Sequence, residues 1–299
     1  MNLFVIDIGG STIKYATWNG EQLDAKKSLP TPNSWEGMKQ QFIAELKSST
    51  LEFSGVAISS PGSVDTQAGI IYGLSAIDYI HRFEIKKELE NLFGLPVSIQ
   101  NDANCAALAE VWKGNAAEVS NSAFLIIGSG VGGAIVLDRK LYAGPHLFGG
   151  EFGYIILNEK YQTFSELVSP VNLAKKYSIE KADGKSYDAV HVFDAVQEGL
   201  AKKYVDQFYA NLAIGAYNVL VSLDVDRLLI GGGISRRPGV VERLRNEIDG
   251  LLEAKGAQDQ TAEVISCKYL ADANLIGAVY QFMTEMDEGG IGILTMDNR

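Results

Sequence analysis

Phe4-Val5-Ile6-Asp7-Ile8-Gly9-Gly10-Ser11-Thr12-Ile13-Lys14-Tyr15-Ala16 runs from an apolar strand through an acid into a Gly-Gly-Ser-Thr turn and out along a second strand. Glycines let a backbone bend sharply and come close to a ligand with no Cβ in the way. The N–H groups of such a turn point inward and can cradle a phosphate. Gly9, Gly10, Ser11 and Lys14 are therefore candidate phosphate contacts. Asp7, at the end of the first strand, offers the oxygen ligand that Mg²⁺ prefers, directly or through water. The P-loop pattern G-x-x-x-x-G-K-[ST] does not occur. An ordinary hairpin turn explains the same residues, so on this stretch alone both readings stand.

The hairpin recurs. Ala123-Phe124-Leu125-Ile126-Ile127-Gly128-Ser129-Gly130-Val131-Gly132-Gly133-Ala134-Ile135-Val136-Leu137-Asp138 has the same plan. A shift of about 119 positions (128 − 9) lays Gly9 on Gly128 and Asn19-Gly20 on Asp138-Arg139. That period is far too long for a solenoid. It predicts two similar domains, each opening strand, glycine turn, strand, with Gly128, Ser129 and Gly130 as a second set of phosphate contacts. Two such turns facing each other across a cleft would grip a polyphosphate from both sides. The expected division is an N-terminal α/β domain over 1–118, completed by a C-terminal helix over 273–286, a larger α/β domain over 119–272, and a loose tail over 288–299.

With 299 residues the chain has room for two ordinary domains. Hydrophobic content of 46% and charged content of 21% suit a soluble globular enzyme. A net charge of −11 makes nucleic acid and anionic membrane poor partners, because both need basic surface. Cys105 and Cys267 are the two cysteines and form no C-x-x-C pair. Buried reduced thiols are expected, with neither a zinc site nor a disulfide framework. Met1-Asn2-Leu3-Phe4 lacks the basic start of a signal peptide, and no apolar run reaches the roughly 18 residues of a membrane span. A cytoplasmic protein is expected.

Short apolar runs and turns predict three strands over 3–29, then strands at 56–59, 97–100, 227–230 and 263–265. Helices are predicted over 34–47 (capped by Asn33 or Ser34), 85–93, 103–113, much of 164–222, 238–255 and 273–286. Strands alternating with helices after an antiparallel start imply α/β domains with mixed sheets.

Three further segments carry candidate chemistry. Gln100-Asn101-Asp102-Ala103-Asn104 joins a strand to a helix. Asn and Asp are favoured helix caps, and a carboxylate here could equally accept the proton of a sugar hydroxyl during phosphoryl transfer. Phe148-Gly149-Gly150-Glu151-Phe152-Gly153-Tyr154 sets a lone acid among glycines. Glu151 is either an exposed loop residue or an acceptor of hydrogen bonds from sugar hydroxyls. Ile230-Gly231-Gly232-Gly233-Ile234-Ser235 follows a buried strand and precedes a helix, a placement that suits a nucleotide lying on bare backbone.

These pieces, in this order, resemble the ROK family of sugar kinases and repressors over nearly all of residues 3–285. Asp7–Lys14 is similar to the family's first phosphate motif, and Asn101-Asp102-Ala103-Asn104-Cys105-Ala106-Ala107 to its catalytic segment. Gly128–Gly133 resembles its second phosphate motif, Gly149–Gly153 its sugar-binding segment, and Ile230–Ile234, with Gly231, Gly232 and Gly233, its adenosine segment. The resemblance implies a two-domain actin-like ATPase (ribonuclease H-like) fold with ATP in a central cleft. It implies Asp102 as the base, Asn101 and Glu151 on the sugar, and Asp7 near Mg²⁺. Tyr154, Ser60 and Gly62 are also expected on the sugar side.

Two departures from the family pattern stand out. Tyr154 replaces the usual histidine, and 158–169 has no cysteine where the family carries a zinc loop ending in a sugar-binding glutamate. Ser165 falls in that glutamate's place, with Glu166 one position off, and no zinc site is expected. Zinc-free members with Glu-Phe-Gly-Tyr look most like the β-glucoside kinase branch, with an N-acylmannosamine or hexose kinase left open. A phenol at Tyr154 would offer a second sugar ring a flat face. The expected activity is transfer of the γ-phosphoryl of ATP, with Mg²⁺, to the 6-hydroxyl of a β-glucoside, hexose or N-acylhexosamine. A homodimer is allowed for. The competing reading is a sugar-sensing or transcriptional regulator of the same family. The phosphate hairpin begins within the first ten residues, so no N-terminal winged helix is expected.

Overall fold

The computed structural model describes residues 1–197 and 199–288. The expected tail lies, from 289 onward, outside the described residues.

The chain opens with β1 (Leu3–Ile8), β2 (Thr12–Trp18) and β3 (Leu23–Pro30). Ser34 caps α1 (Trp35–Ser48), its hydroxyl accepting the Gly37 N–H at 3.2 Å. After β4 (Gly55–Ser60) comes a small hairpin absent from the sequence expectations, β5 (Ser63–Asp65) and β6 (Ile70–Tyr72). Ser60-Pro61-Gly62 is thus a turn between strands as well as a stop, made by Gly62 at φ +95°. α2 (Ile85–Phe93) ends on left-handed Gly94. β7 (Val97–Asn101) then runs without a loop into α3 (Asp102–Lys113). There follow β8 (Ser122–Ile127), β9 (Val131–Leu137) and β10 (Lys140–Leu141). Next are α4 (Phe164–Val168), α5 (Pro170–Lys181), α6 (Ala189–Asp194) and α7 (Gly199–Leu223). β11 (Arg227–Gly232), α8 (Val240–Ala254), β12 (Glu263–Ser266) and α9 (Ala273–Glu288) complete the chain. α8 starts after the expected Pro238 because Gly239 is left-handed at φ +78°.

Two compact units result: Met1–Lys113 with the chain from Ala271, and Gly114–Leu270. Their sheets have one plan, β3-β2-β1-β4-β7 and β10-β9-β8-β11-β12. In each, an antiparallel hairpin is followed by two strands parallel to its first. The sequence repeat is therefore a structural one: β1 and β2 shifted by 119 (122 − 3 and 131 − 12) coincide with β8 and β9. The turns differ. Ile8 pairs with Ile13 across Gly9–Thr12, whereas Ile127 pairs with Val131 across 128–130, so the second turn is one residue shorter. The division falls at Lys113/Gly114 rather than 118. The segment after α3 is tied to the second unit, with Asn115 Nδ2 donating to the Ser266 carbonyl at 2.9 Å. The Arg227 and Arg139 guanidiniums bond the carbonyls of Asn115 and Ala117.

In the first unit both sheet faces are covered, which is why β1 is buried throughout and apolar but for Asp7. Phe4, Ile6 and Ile58 face Phe42 and Leu89 of α1 and α2; Leu3, Val5 and Ala57 face Leu275, Val279 and Phe282 of α9. Burying Phe282 contributes about 2–3 kcal/mol. Gly277 lets α9 lie on α3, because a Cβ there would sit 1.7 Å from the Cys105 carbonyl oxygen. In the second unit β8 and β11 pack on Phe208 and Leu212 of α7 and Leu244 of α8. Among the described residues no helix is long and apolar enough to cross a membrane.

Candidate active site

In the first unit β1, β4 and β7 lie parallel, with Asp7 opposite Ser59, Ser59 opposite Gln100 and Ser60 opposite Asn101. The candidate residues thus gather at the carboxyl ends of adjacent parallel strands, where open α/β sheets bind ligands. Asp7 is only 5% exposed. Its Oδ1 accepts from Ser59 Oγ at 2.8 Å and Asn274 Nδ2 at 3.0 Å, and its Oδ2 from Lys14 Nζ at 3.0 Å. Those donors compensate a buried charge that would otherwise be costly. Burial, with Asp7 and Asp102 adding their negative charge, pushes the Cys105 thiol well above its ordinary pKa and keeps it protonated. Ser59 and Asn274 escaped the sequence reading: they come from distant parts of the chain and no motif marks them.

The structure shows which of Asn101 and Asp102 caps the helix. The Asn101 Oδ1 accepts the Asn104 N–H at 3.0 Å, so Asn101 is the residue that caps α3. Its Nδ2 donates to the Gly62 carbonyl at 2.9 Å and to Asp102 Oδ1 at 3.1 Å. Gln100 braces the junction, its Oε1 accepting from Asn101 N at 2.8 Å and Asn104 Nδ2 at 3.1 Å. Asp102, one position on and partly exposed, also accepts the Ala103 N–H at 2.8 Å. Ser60 is fully buried and its hydroxyl donates to the Pro61 carbonyl at 3.2 Å. Ser60 therefore presents no atom outward, and Gly62 acts through the carbonyl that holds Asn101.

The glycine turns are held from behind. Gly9 N donates to the Thr12 carbonyl at 3.1 Å, and Thr31 Oγ1 donates to the Gly9 carbonyl at 2.6 Å. Gly10 and Ser11 are exposed. In the second unit Gly128 N donates to the Gly130 carbonyl at 2.8 Å. Gly128 and Ser129 are exposed, and a Cβ on Gly128 would have nothing within 4 Å. The three glycines at the end of β11 and just past it have different reasons. A Cβ on Gly231 would lie 2.6 Å from the Ile126 side chain, and one on Gly232 2.1 Å from the Ile127 carbonyl oxygen, whereas Gly233 faces open space. The backbone at Ile127 requires Gly232, the Ile126 side chain crowds Gly231, and only the third leaves bare backbone for a ligand.

Glu151 opens a 3₁₀ turn, Phe152–Tyr154, whose Phe152 is buried in the core. The Glu151 carboxylate is half-buried with no hydrogen-bond partner among the described residues, and burial raises its pKa. Tyr154 is 64% exposed. The cysteine-free loop closes on Asn158, whose Oδ1 accepts the N–H groups of Lys160 and Gln162, each at 3.1 Å. Ser165 Oγ accepts the Val131 N–H at 2.9 Å, fastening the second glycine turn. Glu166 forms a capping box with Thr163, whose donors lower its pKa. Both residues near the family glutamate's place are thus engaged in holding the backbone.

An actin-like, two-domain α/β protein with these motifs at its strand ends is the class the fold defines. The ROK family signature matches residues 3–285, and the chain belongs to that family. It is 33% identical to a β-glucoside kinase of Listeria monocytogenes, over 95% of this chain and 98% of that one. It is 32% identical to a β-glucoside kinase of Klebsiella pneumoniae, over 94% and 96%. A ROK family protein from Streptococcus pneumoniae TIGR4, solved in complex with sucrose, superposes with a TM-score of 0.86 at 33% identity, covering 96% of this chain and all of that one.

Proposed function

We propose that this chain is an ATP-dependent sugar kinase that transfers the γ-phosphoryl of ATP to the 6-hydroxyl of a β-glucoside, in the cytoplasm where ATP is supplied. The observation that carries the reading is the duplicated sheet, each copy opening on an exposed glycine turn. Relatives of near-full coverage that are β-glucoside kinases support the acceptor class, as does a similar structure that holds a disaccharide.

The N–H groups of Gly9 and Gly128 close their own turns, and Gly10 and Ser11, with Ser129 and Gly130, present theirs to the phosphates. Gly233 supplies backbone for the adenosine. Asn101 and Glu151 accept hydrogen bonds from the sugar, and Asp102 accepts the proton of the attacking hydroxyl as it bonds to phosphorus. Asp7 fits Mg²⁺ through water: Ser59, Asn274 and Lys14 take three of roughly four acceptor positions on its carboxylate. Mg²⁺, when bound, neutralises charge on the phosphoryl group in transfer. A kinase panel of β-glucosides, free hexoses and N-acylhexosamines tests the assignment through coupled ADP release. Phosphorylation of a β-glucoside is the expected result; ADP release with no acceptor in the panel would overturn the reading.

Glu151 sets a pH dependence. Burial disfavours its charged form, so in the free protein the raised pKa stabilises the fold at acid pH, and that contribution fades as pH rises through it. Sugar hydroxyls need the charged form as acceptor. The acid limb of kcat/KM for the sugar is expected above the ordinary carboxylate range, and Glu151→Gln is expected to remove it. A limb that persists unchanged in that variant would place the titration elsewhere.

A further inference from the structure

Phe148 has no role in the reading so far, yet at 62% it is the one exposed phenylalanine among the described residues. Its ring centroid lies 5.9 Å from that of Tyr154, with the planes at 47°. The two rings bracket Glu151 through the backbone: Glu151 N donates to the Phe148 carbonyl at 3.2 Å, and Tyr154 N to the Glu151 carbonyl at 3.2 Å. Ring, carboxylate and ring therefore ride on two consecutive turns.

That backbone has little freedom. A Cβ on Gly149 would lie 2.2 Å from the Tyr142 carbonyl oxygen, and one on Gly150, at φ +86°, 2.7 Å from the Ala134 Cα. Phe152 anchors the segment from within the core. An exposed aromatic pair on a pinned backbone is pre-organised, so a flat partner meets it without ordering a loop.

We propose that Phe148 and Tyr154 together form the aglycone wall of the acceptor site, and that the substrates are β-glucosides whose aglycone presents a flat ring face. The inference rests on the sugar-kinase reading of Glu151, and the backbone hydrogen bonds that tie both rings to that residue are what select an aglycone as occupant. Apolar burial alone would reward any aglycone by area; a wall of two rings rewards planarity, through offset or edge contacts worth about 2- to 10-fold in affinity.

The test compares kcat/KM for phenyl β-glucoside, methyl β-glucoside and glucose in the wild-type protein, Phe148→Ala and Phe148→Trp. The phenyl-to-methyl ratio is expected to fall about 5-fold in Phe148→Ala and to be retained in Phe148→Trp. An unchanged ratio, in a variant that still phosphorylates methyl β-glucoside, would overturn the proposal. Equal loss on all three acceptors together with a smaller species in sedimentation would overturn it in favour of a contact between two copies of the chain. No phosphorylation of any acceptor by the wild-type protein would defeat the kinase reading itself, and this proposal with it.

Discussion

Asp102→Asn is expected to lower kcat about 10²- to 10⁴-fold, the usual cost of removing a general base. The structure makes this a clean test. A helix cap lost to alanine costs about 1 kcal/mol, but the cap of α3 is Asn101, whose Oδ1 holds the Asn104 N–H. The Ala103 N–H and the Asn101 amide both donate to Asp102 Oδ1, and an asparagine oxygen accepts both as well. The variant should fold with an unchanged thermal midpoint and bind sugar within a few-fold of wild type by calorimetry. Proton acceptance is removed together with the carboxylate's charge. Turnover near the wild-type rate would show that Asp102 merely continues the cap.

The neighbouring pair also shows where sequence stops being informative. Asn101 and Asp102 are both good caps, and adjacency gives no way to choose between them; the choice follows from which oxygen meets the Asn104 N–H. The two glycine-turn hairpins and most of the helices were legible because local signals, Gly stops and a Ser cap among them, decide each, and the repeat because two such local patterns match; the short β5–β6 hairpin was not. The shell around Asp7 was not, because Ser59 and Asn274 reach it from β4 and α9, and pairing across the chain leaves no mark in a local pattern. Glycines gave the same difficulty in another form. Gly231, Gly232 and Gly233 read alike as sequence, yet Gly232 is demanded by the Ile127 carbonyl across the strand pair, Gly231 is crowded by the Ile126 side chain, and Gly233 is open. Ser165 falls in the place of the family's sugar-binding glutamate with Glu166 one position off; one fastens Val131 and the other caps a helix, functions that need the folded loop to be seen.

That distinction among glycines gives the second large expected effect. Gly128→Val is expected to leave the protein folded and to raise the KM for ATP about 10- to 100-fold, with a far smaller effect on the sugar. A Cβ at Gly128 has no protein atom within 4 Å, so the fold has nothing to resist. A branched side chain would block the approach of phosphate to the turn, and each charge-assisted hydrogen bond lost costs roughly 1.5–3 kcal/mol. Gly10→Val should act in the same direction, with some strain as well, since a Cβ there lies 3.0 Å from that of Ala76. Gly232→Val is the contrast. At φ +83° and 2.1 Å from the Ile127 carbonyl oxygen, it combines left-handed strain with a backbone collision, costing about 3 kcal/mol or more. Its thermal midpoint should fall, and activity toward both substrates should fall together. Thermal melts beside separate KM values for ATP and sugar resolve the three variants. If Gly128→Val melts like wild type and its KM for ATP is unmoved, the second turn makes no contact with phosphate, and the repeat that suggested a two-sided grip on ATP reflects folding alone.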